Sequence, residues 1–416
     1  MHVIQATTYD KRGGAAVAAY RLHCGLRRLG VDSTMVVAEK QRGDAHIRNV
    51  YASCPPWYHR LRGRIDGLAA KLGRVDPAGF VSCNWLPSRV VSRINRLQPD
   101  LVNLHWIGAG FIDLASLGRL RRPVVWTSHD MWAFCGAEHY SEADYWRDGN
   151  HGPAAASGLR HWFDVNAWVW RRKRRLWRDL PSLTFVCPSR WLAGCFRDSE
   201  IFGRHRVEVI ANGIDEQRFA PVDKALARAL LGVDPGKRYV LFGAVAALRD
   251  KRKGFHLLVD AVNCLADRSF EVLVFGADCG DDSLFPRVKV HYLGRIEHEA
   301  LLPVVYSAAD VFVAPSLQDN LPNTVMESLA CGTPVVAFDI GGQGDMIDHQ
   351  RNGVLVDEID SGALAAGIDW VLADDQRRVR LGEQARRKVL DNFTVLQQAR
   401  RYQALYRELI DRQRAG

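Results

Sequence analysis

The chain has 416 residues, 47% hydrophobic and 25% charged, with a formal net charge of +9. Those proportions exclude a disordered, collagen-like or low-complexity chain, and the length exceeds one ordinary core, so two domains of roughly 200 residues each are expected. No run approaches the roughly 18 apolar residues that cross a bilayer, and the opening stretch reaches charge at Asp10, so neither a spanning helix nor a signal peptide is expected.

In chain order, short β-branched runs alternate with segments of helical apolar spacing. Strands are expected over His2–Thr7, Ser33–Ala38, Leu101–Leu104, Pro123–Thr127 and Thr184–Cys187, with a helix over Ala15–Leu29 after the first. A second series has strands over Tyr239–Val245, Glu271–Phe275, Val288–Leu293, Val311–Ala314 and Pro334–Phe338, with helices over Gly254–Ala266 and Glu299–Ala309. Such alternation implies crossover connections and parallel sheets covered on both faces. Two series make two doubly wound α/β domains. The junction falls between Phe202 and Lys237, where Asn212-Gly213-Ile214-Asp215 is a turn signal and Pro221 and Pro235 interrupt the chain. The charged tail carries Val395, Tyr402, Leu405, Tyr406 and Leu409 at helical spacing and reads as terminal helices. The division expected is 1–205, 206–395 and 396–416.

Charge is unevenly placed: residues 1–190 hold 28 basic against 15 acidic residues, a net +13, and the remainder is net −4. The first half therefore faces something anionic: nucleic acid, a phosphorylated substrate or an acidic membrane surface. Nine cysteines with no C-x-x-C pair suggest reduced thiols in cytoplasm rather than a disulfide framework or a zinc site.

In open α/β sheets, ligands bind beyond the carboxyl ends of strands. After Val311–Ala314 the loop from Pro315 to Pro322 enters a helix that ends near Cys331-Gly332. Asn323 or Thr324 can cap that helix. The turn at 320–325, with Asn320, Leu321, Pro322, Asn323 and Thr324, is a seat for a diphosphate, because a helix start offers N–H groups and partial positive charge. Asp319 and Glu327 flank this turn; they read either as carboxylates that meet hydroxyl groups or as a turn residue and a solvated helix glutamate.

These residues carry a resemblance. The run QDNLPNTVMESLACGTPVVAFDIGGQGDMIDHQRNGVLV (318–356) resembles the nucleotide-sugar site of glycosyltransferase family 4, retaining enzymes of GT-B fold, in which two glutamates are separated by seven residues. Asp319 and Glu327 have that spacing. KGFHLLVDAV (253–262), His129-Asp130, PSRWLAGCF from 188, Asn212 to Asp215 and Gly13-Gly14 extend the resemblance over nearly the whole chain. It implies two Rossmann-like domains facing across a cleft, the first binding the acceptor and the second the donor. It further implies that Glu327 accepts from the donor ribose hydroxyls, as an acceptor-only carboxylate can. Asp319, where the family prefers glutamate, would contact the transferred sugar, and Lys253 would neutralise the donor phosphates. Arg249 or Arg252 would stand in for an arginine usually found at the preceding strand end, where this chain has Phe242-Gly243-Ala244.

Gly13 and Gly14 let backbone N–H groups approach a phosphate or sugar, or simply make a tight strand-to-helix turn. His129 ends a strand; its imidazole would bind a sugar hydroxyl or shield positive charge at the anomeric carbon, with Asp130 orienting the ring or capping the next segment. Trp132, Phe134, His139 and Tyr140 shape an acceptor pocket or belong to the core. Residues 160–178 hold seven Lys or Arg and four tryptophans: an anionic membrane interface and a helix packing its tryptophans inward are both open, and nucleic acid is not expected. Asp278 with Asp281-Asp282 reads as a turn, and no metal or cofactor is expected.

The function implied is a cytoplasmic retaining transferase, peripheral at the inner face of the plasma membrane. It would move a hexosyl unit from a nucleoside diphosphate sugar to a glycan, with a polyprenyl-diphosphate-linked precursor of bacterial exopolysaccharide or O-antigen as acceptor. The alternatives are another GT-B enzyme acting on nucleotide sugars (hydrolase, epimerase or phosphorylase) and a catalytically inactive membrane-associated partner subunit.

Overall fold

The computed structural model describes residues 1–55, 57–72, 81–142, 144–149, 164–180, 183–244, 250–266 and 269–415. The chain divides into two compact units, Met1–Asn212 with Gln398–Gly416, and Gly213–Gln397.

In the first unit, β1 (His2–Tyr9), α1 (Gly14–Arg28), β2 (Asp32–Glu39), β3 (Ile47–Asn49), α2 (Tyr58–Leu72), α3 (Val90–Arg96) and β4 (Leu101–Leu104) are followed by β5 (Val124–Thr127), α4 (Tyr145–Asp148), α5 (Val165–Trp177), β6 (Leu183–Cys187), α6 (Arg190–Asp198) and β7 (Arg206–Val209). The seven strands pair in parallel in the order β3-β2-β1-β4-β5-β6-β7. The central strands β4, β5 and β6 are buried along their whole length, which is why their β-branched runs do not alternate with polar residues.

The second unit contains α7 (Lys224–Leu231), β8 (Arg238–Gly243), α8 (Phe255–Cys264), β9 (Phe270–Phe275), β10 (Val290–Tyr292), α9 (Leu302–Ala308) and β11 (Val311–Ala314). After these come α10 (Asn323–Ala330), β12 (Val335–Phe338), α11 (Gln343–Met346), β13 (Gly353–Val356), α12 (Ser361–Leu372) and α13 (Asp375–Asn392). Its six strands are also parallel, in the order β10-β9-β8-β11-β12-β13. Strand order reverses between β1 and β4 in the first sheet and between β8 and β11 in the second, so the loops leaving those strands stand at the switch points where such sheets bind ligands.

The final helix, α14 (Val395–Ala415), belongs to the first unit from Gln398 onward. Its apolar stripe of Ala399, Tyr402, Leu405, Tyr406 and Ile410 packs with Val3, Leu101, Val125 and Val186, covering one face of the first sheet. The two tyrosine hydroxyls meet buried polar strand residues: Tyr406 accepts from Asn103 Nδ2 at 2.8 Å and from Gln5 Nε2 at 3.3 Å, and Tyr402 lies 2.9 Å from Thr127 Oγ1. Buried amides at mid-strand need such partners.

Candidate functional site

Three loops converge at the carboxyl end of the second sheet. The first, after β8, closes in a short 3-10 turn at Lys251–Lys253, started by the Asp250 carboxylate accepting from the Arg252 N–H at 3.1 Å. Gly254 follows at φ +71, and a Cβ there would sit 1.8 Å from the Pro315 carbonyl oxygen, so only glycine lets this loop press on the loop after β11. The two are tied by Leu317 N–H donating to the Arg252 carbonyl and Arg252 Nη1 donating to the Gln318 carbonyl, each at 2.8 Å. The third loop, after β12, brings Gly341 (φ +55) so close that a Cβ would lie 1.8 Å from the Asp319 carbonyl oxygen.

This packing places Asp319, 7% exposed, against cations. Its Oδ2 pairs with Lys253 Nζ and stands 4.0 Å from Arg252 Nη1, while Oδ1 accepts from the Asn320 N–H at 3.0 Å. Burial alone would raise the Asp319 carboxyl, but the Lys253 ammonium, the Arg252 guanidinium and the hydrogen bonds to the charged form hold it below the usual carboxylate range. Arg249 lies outside the described residues.

α10 opens immediately beyond. Its N-cap is Pro322, whose side chain makes no capping bond; Asn323 and Thr324 are the first two helical residues rather than its caps. Proline at the cap can offer no hydroxyl or carboxylate to the positive end of the helix. Val325, Met326, Leu329 and Ala330 bury the helix. Glu327 is on that buried face, 6% exposed, which corrects the alternative of a solvated helix glutamate. Tyr306 of α9 donates to Glu327 Oε2 at 3.0 Å. Asn320, Leu321 and Pro322 are buried in the loop between Asp319 and the helix. So Lys253, Arg252, Asp319 and the loop that starts α10 are brought together, with Glu327 one turn into the helix.

In the first unit, Gly13 is the N-cap of α1 at φ +89, and Gly14 is the helix's first residue. A Cβ on Gly13 would meet nothing within 4 Å, so backbone conformation is what calls for glycine there. His129 follows β5. Its Nε2 is 3.0 Å from His105 Nδ1, and His105 Nε2 is 2.8 Å from Gln5 Oε1. Because the amide oxygen only accepts, His105 carries its proton on Nε2 and receives His129 Nε2–H at Nδ1. Burial pushes the His129 imidazole down to about 4 against the opposing pull of Asp130, so the ring is neutral near pH 7.

The Asp130 carboxylate is spent elsewhere. Its Oδ1 accepts from Trp132 N–H at 3.0 Å, capping the following segment, and its Oδ2 accepts from Trp106 Nε1 at 3.1 Å and contacts His139 Nδ1 at 2.6 Å. Ser82 Oγ lies 2.9 Å from His139 Nε2. Serine, histidine and aspartate thus stand in the order of a hydrolase triad, but Ser82 is 1% exposed and no substrate carbonyl can reach it. His129, Asp130 and Trp132, with His105 and Trp106, border a small recess whose water-accessible volume is about 10 Å³. His139 and Tyr140 do not border it; His139 is buried, and Tyr140 packs against the core.

Trp132 also caps the buried Lys173, whose ammonium lies 3.8 Å from the indole centroid and donates to the carbonyls of Trp132, Cys135 and Gly136. Lys173 belongs to the basic run singled out in the sequence. Within α5, Trp170 and Trp177 are buried and Trp168 is half-buried against the same core, while Arg171, Arg174 and Arg175 are exposed. The described indoles serve the interior, which removes them as interface anchors; Trp162 lies outside the described residues. Asp281 caps a 3-10 turn and Asp278 accepts from Arg295 N–H. His105, Trp106 and Tyr306 have no motif of their own; only the position of His105-Trp106 just after a strand marks them in the sequence.

With this geometry in view, comparison with known proteins is specific. Residues 239–374 match the family model for glycosyl transferases group 1, and residues 12–218 match that for glycosyltransferase family 4. The chain belongs to this glycosyltransferase family. It is 29% identical over 209 residues, 47% of each chain, to a D-inositol 3-phosphate glycosyltransferase of Rhodococcus erythropolis. The matched region spans about half the length of the curated relatives. Among solved structures, sucrose-phosphate synthase from Thermosynechococcus elongatus superposes with a TM-score of 0.71 at 20% identity, covering 99% of this chain and 100% of that one. Anabaena HepE in complex with UDP-glucose gives 0.65 at 18%, covering 98% and 100%. At such identities the likeness is one of fold, and the fold is GT-B.

Proposed function

We propose that this chain is a retaining glycosyltransferase that moves a hexosyl unit from a nucleoside diphosphate sugar to a glycan acceptor. The expected acceptor class is a polyprenyl-diphosphate-linked precursor of a bacterial surface polysaccharide. The observation that carries this reading is the gathering of Lys253 and Arg252 around the loop that leads into α10 at its Pro322 N-cap, with Glu327 buried one turn further on.

A nucleoside diphosphate fits that arrangement by charge and reach. The diphosphate lies at the start of α10, the ribose hydroxyls donate to Glu327, and the ammonium and guanidinium face the phosphates. In the transfer, the bond between the anomeric carbon and the diphosphate oxygen breaks and a bond from the acceptor hydroxyl oxygen forms on the same face. The acceptor proton passes to the leaving diphosphate. Lys253 and the helix start stabilise the negative charge that builds on that leaving group. His129, neutral and fixed by His105, is suited to a hydrogen bond with a sugar hydroxyl rather than to carrying charge. For Gly13 and Gly14 the proposed role is backbone contact with a phosphate or sugar. The exposed arginines of α5 support an anionic surface as a further partner, through charge alone.

UDP-hexoses are the first donors to test, because HepE was solved with UDP-glucose. Calorimetry of the whole protein with UDP should give binding that Glu327→Ala and Lys253→Ala each weaken. If neither UDP nor any other nucleoside diphosphate binds, the reading fails and a non-catalytic partner is favoured. Donor turnover with the sugar recovered only as free hexose, in the presence of glycan acceptors, would favour a hydrolase.

A further inference from the structure

We infer that Tyr306 is a positioning residue for the donor site: its hydroxyl fixes the Glu327 carboxylate in the orientation that a ribose diol meets. The inference rests on the donor reading of Glu327 given above. Tyr306 is on α9, just before β11, and is fully buried. Its ring meets Phe275 and Phe312 edge-on, at 5.7 Å in both cases, with interplanar angles of 84° and 77°. Its backbone carbonyl accepts from Thr333 Oγ1 at 2.7 Å. Ring and backbone are therefore held from two sides, and the hydroxyl is a fixed donor aimed at Glu327 Oε2, 3.0 Å away.

A ring packed among phenylalanines needs no hydroxyl for its packing; phenylalanine would fill the same space. The hydroxyl is explained by the carboxylate. A glutamate side chain has three rotatable bonds, and one that must accept from two adjacent hydroxyls works best already oriented. A carboxylate offers about four lone-pair directions, of which the Tyr306 bond takes one. Since Tyr306 acts through Glu327, its effect should appear only with ligands that carry the hydroxyls Glu327 recognises.

The test uses calorimetry of the whole protein with UDP and with 2′,3′-dideoxy-UDP, on the wild type, Tyr306→Phe, Glu327→Ala and the double variant. Tyr306→Phe should weaken UDP about tenfold, the value of one hydrogen bond to a charged group, leave dideoxy-UDP unchanged, and add nothing in the Glu327→Ala background. Equal weakening of both nucleotides would mark Tyr306 as merely structural and overturn the inference, as would no weakening at all. Equal wild-type affinity for the two nucleotides would overturn the ribose role of Glu327 and this inference with it. If the wild type binds neither UDP nor any other nucleoside diphosphate, the donor reading itself is overturned, an outcome visible before any variant is made; if another nucleoside diphosphate binds instead, that nucleotide and its dideoxy form replace UDP in the same comparison.

Discussion

Lys253 and Asp319 form an ion pair, joined across two loops whose backbones are themselves hydrogen-bonded. The cation that would neutralise a diphosphate is thus already engaged by a buried carboxylate. An incoming diphosphate must share Lys253 with Asp319 or displace it.

Opposite effects are therefore expected from the two partners. Lys253→Ala should lower kcat by about 100-fold, in the range seen when one preorganised electrostatic group is removed, and weaken UDP. Asp319→Asn keeps the shape and removes a negative charge beside the phosphates, so UDP should bind a few-fold more tightly. Weaker binding by Asp319→Asn would show that the carboxylate's hold on the ammonium outweighs its repulsion of the ligand.

Gly254→Ala should disrupt the same site without touching a charged group. The new Cβ meets the Pro315 carbonyl and the residue must hold a positive φ, which costs about 1–2 kcal/mol before the clash is counted. Loss of UDP affinity, with the first unit unfolding at its usual denaturant concentration, is the expected pattern.

Tyr406→Phe tests the other unit. Eleven of the twelve tryptophans lie before residue 213, so fluorescence reports on the first unit. Removing the hydroxyl deprives the Asn103 and Gln5 amides of a buried acceptor, and the urea midpoint should fall by the equivalent of about 1–3 kcal/mol while UDP affinity stays the same.

Acid should weaken the first unit earlier than carboxylate titration would. His23 and His129 are pushed down to about 4 and His105 well below its usual value, all chiefly by burial. The unfolded chain binds these protons more readily, so stability falls as pH drops from about 6.5 towards 4 and is insensitive to these groups above that window. His23 faces Ser33 Oγ and Asp44, with Arg27 and His46 nearby. Urea midpoints followed across this range should decline, and His23→Gln should flatten the decline.

Much of the fold is legible in the sequence because interior parallel strands are continuous apolar runs. The expected strand at Leu101–Leu104 coincides with β4, and that at Val311–Ala314 with β11. What escapes notice is at the margins. β3, β7 and β13 are edge strands of three or four residues; Arg206–Val209 is half-exposed and alternates charge with valine, so it carries no buried-run signature. The loops of the proposed donor site are legible because glycine, proline and charged residues concentrate after β8 and β11. The supports of that site are not: Tyr306 reaches Glu327, and His105 reaches His129, only through packing between separate elements.

The second unit is inserted between residues 212 and 398 of the first, which fixes an order of events during synthesis. A nascent chain emerging from the ribosome presents β1 to β7 early, yet the strand amides at Gln5 and Asn103 must wait for Tyr406, about 300 to 400 residues later. The half made first is the half finished last. Until then its uncovered apolar face is a natural substrate for chaperones.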